Sequence, residues 1–357
     1  MIRPKPLIEK LIRIQESGPT RFYKTRLDRS ERTHKFSDKF VNRLKDRLDG
    51  ELLMTYPEPK PLYEKFSKFI EQPVDRIHFL TGSDLCIRAI YETYISEGDK
   101  VLLHRPGYAM YPVYANMFGA KQVYQEFESD LSFDYEKYIG RIDSSFRMAV
   151  LENPNGFIGA APPFELLKQF VEKCEKEGVL AVVDEAYYFF HKKTAADWLC
   201  EFENLLIVRT FSKALGLAGV RAGYMLSRKE NIDNTRKVSP MHELTGPAIL
   251  VMDELLNNPD EIFKSVEDSL DELAYLKERF ADYGIPTSDS VANFLAAGLG
   301  NKLSGEELSR RLLEHDILLR RPFREKHLNI WTRIGTAPKP LLDRIFVEVE
   351  QMLAGKG

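Results

Sequence analysis

Between residues 62 and 230 the chain repeats short, continuous apolar runs: Ile77-His78-Phe79-Leu80, Val101-Leu102-Leu103-His104, Met148-Ala149-Val150-Leu151, Leu180-Ala181-Val182-Val183, Leu205-Leu206-Ile207-Val208 and Gly223-Tyr224-Met225-Leu226. These runs do not alternate apolar with polar, so each predicted strand is buried on both faces. Helical stretches such as 164–177 separate them, and strands alternating with helices predict an α/β fold with a mainly parallel, helix-sandwiched sheet. Beyond Gly246-Pro247 the period changes. Ile262, Val266, Leu270, Leu273, Leu276 and Phe280 recur by threes and fours, which predicts a long helix with one apolar face. A smaller α+β unit is expected after it, with strands near 290–297, 316–320 and 329–334 and a last helix near 339–353. Residues 1 to about 60 have weak periodicity and contain Gly18-Pro19 and Tyr56-Pro57-Glu58-Pro59, so they read as an extended arm with short helices that must pack on something else. The expected organisation is an arm (1–60), a large domain (61–245) and a small C-terminal domain (246–357), without internal repeats.

Composition narrows the function classes. The 357 residues suffice for about two domains. Fifty-one Lys and Arg against 54 Asp and Glu leave a formal charge of −3, which argues against non-specific nucleic-acid binding. The first fifty residues carry 14 basic and 7 acidic side chains; a solvated arm explains this more simply than attraction of a phosphorylated ligand. Three cysteines without a CxxC pair fit a reducing, cytoplasmic compartment. The first residues lack the apolar core of a signal peptide, and no apolar run is long enough for a membrane span. No GxGxxG or P-loop follows a strand, and the seven histidines lack metal-ligand spacing, so no metal is expected.

Ligands of open parallel sheets sit at the carboxyl ends of the strands, so the polar residues after each apolar run carry the candidate chemistry. Thr81-Gly82-Ser83-Asp84 leads into a helix and would aim backbone N–H groups at an anion, although Ser and Asp there are ordinary N-caps. Asp184-Glu185-Ala186-Tyr187 places an acid at a buried strand end. It either caps the next turn or keeps a pyridine nitrogen protonated, with the tyrosine on a ring oxygen. Arg209-Thr210-Phe211-Ser212-Lys213 opens a Gly-rich turn that ends at Arg221; lysine forms Schiff bases with carbonyl cofactors, and arginine suits phosphate.

The ordered set Tyr-Pro-x-Pro, Thr-Gly-Ser-Asp, Pro-Gly-Tyr-x-x-Tyr, Asn-Pro-Asn-x-x-x-Gly, Asp-Glu-Ala-Tyr and Ser-Lys-Ala-x-Gly-Leu-Ala-Gly-x-Arg resembles fold-type I pyridoxal-phosphate enzymes, specifically the histidinol-phosphate aminotransferase group, from about residue 25 onward. The resemblance implies a seven-stranded-type sheet in the large domain and pyridoxal 5'-phosphate as cofactor. It makes Lys213 the Schiff-base lysine, which also shuttles a proton. Asp184 becomes the partner of the pyridinium nitrogen, Tyr187 the donor to the ring oxygen and Tyr108 the ring-stacking aromatic. Ser83, Asp84, Thr210, Ser212 and Arg221 would hold the phosphate. Tyr56 would reach it from a neighbouring subunit, which implies a homodimer.

Three motifs depart from the family pattern. Asn-Pro-Asn-Asn-Pro-Thr-Gly is here Asn153-Pro154-Asn155-Gly156-Phe157-Ile158-Gly159, so the ring-oxygen asparagine is Asn155 or is missing. Asn-Glu-Asn-Pro near the substrate entrance becomes Ser30-Glu31-Arg32-Thr33. The Arg-Ile-x-x-Gly motif reads Trp331-Thr332-Arg333-Ile334-Gly335. Trp331 takes the arginine's place, and Arg333, two residues along a strand, points to the same face as the expected acid-binding group. Arg320 and Arg321 are further candidates for a substrate phosphate, with an exposed surface as the simpler explanation. The expected reaction moves an amino group from an amino-acid donor, glutamate, to an oxo acceptor. The alternative is decarboxylation of a small phosphorylated amino acid, and Lys213, Asp184, Tyr187 and Arg221 together argue against a scaffold that has lost its chemistry.

Overall fold

The computed structural model describes residues 2–11 and 20–355. Its strands are β1 (Thr25–Arg26), β2 (Ile77–Leu80), β3 (Lys100–Arg105), β4 (Lys121–Glu126), β5 (Phe146–Glu152), β6 (Leu180–Asp184), β7 (Leu205–Thr210), β8 (Gly223–Ser227), β9 (Phe294–Gly298), β10 (Ile317–Leu318) and β11 (Trp331–Gly335). A seven-stranded sheet runs β2-β8-β7-β6-β5-β3-β4. Pairs from β4 through β7 are parallel, and β8 is antiparallel to both of its neighbours. Every apolar run of the sequence became one of these strands. The seventh strand, β4, carries no such run because it is an edge strand, Lys121-Gln122-Val123-Tyr124-Gln125-Glu126, only partly buried and correspondingly polar.

Continuous apolar runs buried both faces of the sheet, as their pattern demanded. Leu102, Ala149, Leu151, Ala181, Val183 and Ile207 enter one core cluster, while their chain neighbours Val101, Leu103, Val150, Val182, Leu206 and Val208 enter the other. The helix Phe164–Glu177 coincides with its predicted span and sends Leu167, Phe170, Val171 and Cys174 into the first cluster.

Toward the C-terminus the helix carrying Ile262 to Phe280 spans Asp260–Asp282. A separate helix, Gly246–Asn257, precedes it, and Pro259 stands at the break between them. β9 and β11 form an antiparallel pair. The strand expected near 316–320 does not join them: β10 pairs in parallel with β1 of the N-terminal arm, Thr25 opposite Ile317 and Arg26 opposite Leu318. Leu27 follows into the core formed by Leu276, Phe280, Ile317, Ile334 and Phe346. The arm therefore packs on the C-terminal segment, and this places residues 28–30 over the carboxyl edge of the large sheet. Among the described residues no helix is long and apolar enough to cross a membrane.

Candidate active site

Leu80, Glu152, Asp184 and Thr210 close their strands, and antiparallel β8 begins with Gly223 opposite Leu80 and Thr210. Gly223 permits a close approach: a Cβ there would lie 2.4 Å from the Ser83 nitrogen, so only glycine lets the start of the helix Ser83–Tyr94 rest on β8. Gly82, at φ +82°, precedes that helix, and no side chain caps it. A Cβ at Gly82 would lie 2.7 Å from Nη2 of Arg221. Arg221 reaches Ser212 Oγ at 3.5 Å and Asp84 Oδ2 at 3.6 Å, and Thr210 Oγ1 accepts the Ser212 N–H at 3.1 Å. An uncapped helix start, hydroxyls and a half-exposed guanidinium converge on one hollow, the donor set a phosphate monoester requires. Gly223 brings the helix start to the strand and Gly82 leaves the guanidinium its place beside it, so the residues present fit the phosphate of the implied cofactor.

Asp184 stands next along the edge and is 4% exposed. Its Oδ1 accepts the Ala186 N–H at 3.0 Å, the capping bond, and its Oδ2 accepts the Tyr111 hydroxyl at 3.0 Å. Burial, reinforced by the adjacent Glu152 carboxylate, pushes its proton affinity up. A buried acid of this kind gains most from a cationic N–H opposite it, which fits a pyridinium nitrogen. Tyr187 is buried with its ring edge-on to Phe294 at 5.2 Å. Lys213 Nζ lies 5.6 Å from the Tyr187 ring centre and donates to the Arg29 carbonyl at 2.7 Å. Tyr108 donates its hydroxyl to Asp84.

Arg333 approaches from β11 and is 4% exposed. Nη1 donates to the Gly156 carbonyl at 2.5 Å and Nη2 to the Asp28 carbonyl at 2.8 Å, while Nε is buried without a hydrogen-bond partner. Burial lowers its pKa. Trp331, two residues earlier, turns to Ser129 and donates to its carbonyl at 2.9 Å, so it takes no part in the site. Arg320 stacks over Phe157 at 4.4 Å. Among the described residues it has no carboxylate within 4.0 Å, and burial beside Arg333 lowers its pKa to about 10. Arg321 is exposed. Both arginines line a cavity of about 440 Å³ between residues 105–109 and 320–325, with Glu152 and Phe157 in its wall.

Two expected residues sit elsewhere. Tyr56 is 78% exposed and stacks on His242 at 4.7 Å, outside the cluster formed by the others. Asn155 directs its amide into its own loop: Nδ2 donates to the Pro106 carbonyl at 3.0 Å, and Oδ1 accepts the N–H groups of Phe157 and Ile158 at 2.9 Å. These bonds make Asn155 a brace of its own loop, and the Pro106 carbonyl takes one of the two Nδ2 hydrogens. Tyr111 and Glu152 were missed as site residues. Glu152 carries the signal that identified Asp184, an acid closing a buried apolar run, and Tyr111 is the second tyrosine of Pro-Gly-Tyr-x-x-Tyr.

A family model described as aminotransferase class I and II matches residues 27–345. Histidinol-phosphate aminotransferase of Caldanaerobacter subterraneus subsp. tengcongensis is 27% identical over 98% of this chain and 100% of its own length. Among solved structures, histidinol-phosphate aminotransferase from Sinorhizobium meliloti in complex with pyridoxal-5'-phosphate gives a TM-score of 0.89 at 22% identity, covering 100% of this chain and 99% of that one. L-threonine-O-3-phosphate decarboxylase from Porphyromonas gingivalis gives 0.78 at 20% identity over 92% of this chain and 98% of its own. At these identities the structural likenesses speak for the fold.

Proposed function

The chain belongs to the aminotransferase class I and II family and is a pyridoxal-phosphate-dependent aminotransferase, and from that premise we propose that it moves the amino group of glutamate to a small oxo acceptor carrying an acid group, a phosphate in the manner of its histidinol-phosphate relatives. One observation carries the reading. Lys213 Nζ and Arg333 Nη2 donate to the carbonyls of consecutive residues, Arg29 and Asp28. The amine and the buried guanidinium are thereby tied to one dipeptide of the arm, the pairing that an amino-acid substrate, with its amino and carboxylate groups on one carbon, calls for.

When bound, the cofactor supplies an aldehyde that accepts the amino group and a ring that spreads the charge left on the substrate's α-carbon. The chain's residues do the rest. Lys213 would hold the cofactor covalently and then carry the proton to and from the α-carbon. Asp184 would keep the ring nitrogen protonated, Tyr187 would donate to the ring oxygen and Tyr108 would cover one ring face. Ser83, Thr210, Ser212 and Arg221 would hold the phosphate, with Asp84 orienting Arg221 and Tyr108. Arg333, with its unsatisfied Nε, would bind the substrate carboxylate, and Arg320, with Arg321 at the rim, the second acid group. Tyr56 lies exposed near Met54 and Met241, 80% and 88% exposed, and would enter the site of a second copy in a homodimer. The free cysteines support a cytoplasmic setting.

Visible absorption of the loaded protein tests the reading: glutamate should bleach the lysine-bound band, and 2-oxoglutarate should restore it. A band unmoved by glutamate, with carbon dioxide released from phosphoserine or phosphothreonine, would establish the decarboxylase alternative instead.

A further inference from the structure

We propose that Glu152 is a positioning residue of this site: its carboxylate is a two-armed acceptor that sets the ring-covering tyrosine and the acid-binding arginine at one spacing. The inference rests on the aminotransferase reading of the site. Glu152 is 4% exposed and lies in register with Asp184 on the neighbouring strand, a costly place for a second carboxylate. Both of its oxygens are engaged. Oε1 accepts the Tyr108 N–H at 2.5 Å, and Oε2 accepts the Gly156 N–H at 2.6 Å. Each arm ends at a working group: Tyr108 carries the aromatic ring and bonds Asp84, while the Gly156 carbonyl receives Nη1 of Arg333 at 2.5 Å.

The surroundings make room for this carboxylate. A Cβ at Gly107 would lie 2.9 Å from Oε1, and one at Gly156 would lie 3.2 Å from Oε2. His104 Nε2 lies 3.7 Å from Oε1 but faces it as an acceptor. The Glu152 N–H donates to Nε2 of His104 at 3.3 Å, the Pro106 carbonyl lies 3.1 Å from Nδ1, and burial pushes the imidazole pKa down to about 4. Asp184 from β6, Tyr111 from the helix Met110–Phe118, Tyr135 and Tyr138 from the helix Tyr135–Gly140 and Arg333 from β11 are the other ionisable groups that act on or around it. The bridging glutamate stands where the loop has Gly156 in place of a polar side chain, so the backbone of Gly156, held by Glu152, is what Arg333 leans on.

Two substitutions separate reach from charge. Glu152→Gln keeps the length but sets an NH₂ group against one of the two N–H donors; Glu152→Asp keeps the charge but is one methylene too short to serve both. With the pyridoxal-phosphate-loaded protein, both variants are expected to weaken binding of maleate, an unreactive dicarboxylate, at least tenfold. KM for glutamate should rise more than kcat falls, and the visible circular dichroism of the bound cofactor should change as Tyr108 shifts. In an Arg333→Ala background Glu152→Gln should cost less than a further twofold, because both act through one contact. Wild-type behaviour of Glu152→Asp, or full multiplication of the two losses in the double variant, would overturn the proposal. Should Glu152→Gln not fold, Gly156→Ala reads the same arm: a tenfold loss of maleate affinity supports the clamp and an unchanged affinity overturns it. A wild-type chain that takes up no cofactor or ignores glutamate would refute the aminotransferase reading instead.

Discussion

Around Arg221 the site is made mostly of neighbours: Thr210, Ser212 and Arg221 lie between residues 210 and 221, directly before β8, and the helix start at Ser83, distant in sequence, is pressed onto that strand. Around Arg333 it is made of strangers. The partners of that guanidinium are carbonyls 177 and 305 residues away along the chain, and one of them belongs to the arm, whose β1 pairs with β10 and whose Leu27 carbonyl accepts the Gly335 N–H. The phosphate side thus depends on sheet geometry that forms with the core, whereas the substrate side depends on how three separate segments dock. Damage to the second should leave the first intact, and the reverse should not hold.

Removing the group shared by both halves has the largest expected effect. Lys213→Ala should reduce kcat by about a thousandfold or more, the scale of a lost acid–base and covalent group, while equilibrium dialysis still finds the cofactor held by its phosphate. Arg333→Ala should come next, lowering kcat/KM for glutamate by roughly 30- to 1000-fold, about 2–4 kcal/mol for a lost charged contact, with cofactor affinity unchanged. An equal fall in cofactor affinity would break the contrast between the halves. Gly223→Ala attacks the other side. Its Cβ would meet backbone at 2.4 Å, so a loss of about 3 kcal/mol in unfolding free energy and weaker cofactor uptake are expected from denaturant titration.

A smaller effect reads the buried acids. Burial raises the pKa of both Glu152 and Asp184 in the folded chain, so the folded state binds protons that the unfolded chain has released. Their contribution is therefore present at low pH and lost as pH rises toward and through neutrality. Cofactor-free protein should melt at lower temperature at pH 8 than at pH 6.5, against a smaller opposing contribution from His104, whose pKa is pushed down to about 4 so that only the unfolded chain's imidazole still releases a proton across that window. Asp184→Asn should flatten that slope. A slope equally steep in the variant would remove the acid pair as its source. Smallest of all, exposed Arg321→Ala should change kcat/KM less than about threefold if its place is the rim.

Much of the fold was legible because its signals are local. Continuous apolar runs can be satisfied only by strands covered on both faces, and each became one; the polar residue after a run can only emerge at the sheet edge, which located Ser83, Asp184, Thr210, Ser212 and Lys213 together. Edge strand β4 was not legible, since an edge asks for no such run. Glu152 carried the same signal as Asp184, but nothing in the order of residues tells an acid that clasps two backbone N–H groups from one that caps a turn.

By itself, the sequence determined the alternation of strand and helix, the polar groups at the strand ends and the glycines on which the phosphate hollow depends. Only the tertiary structure decided what faces Lys213 and Arg333. Both donate to main-chain carbonyls of the arm, those of Arg29 and Asp28, and Arg333 also to that of Gly156, atoms that every residue type possesses; the arm is brought there with the pairing of β1 and β10. A backbone oxygen leaves no mark in composition or spacing, because its position follows from the path of the chain and not from the identity of the residue that bears it.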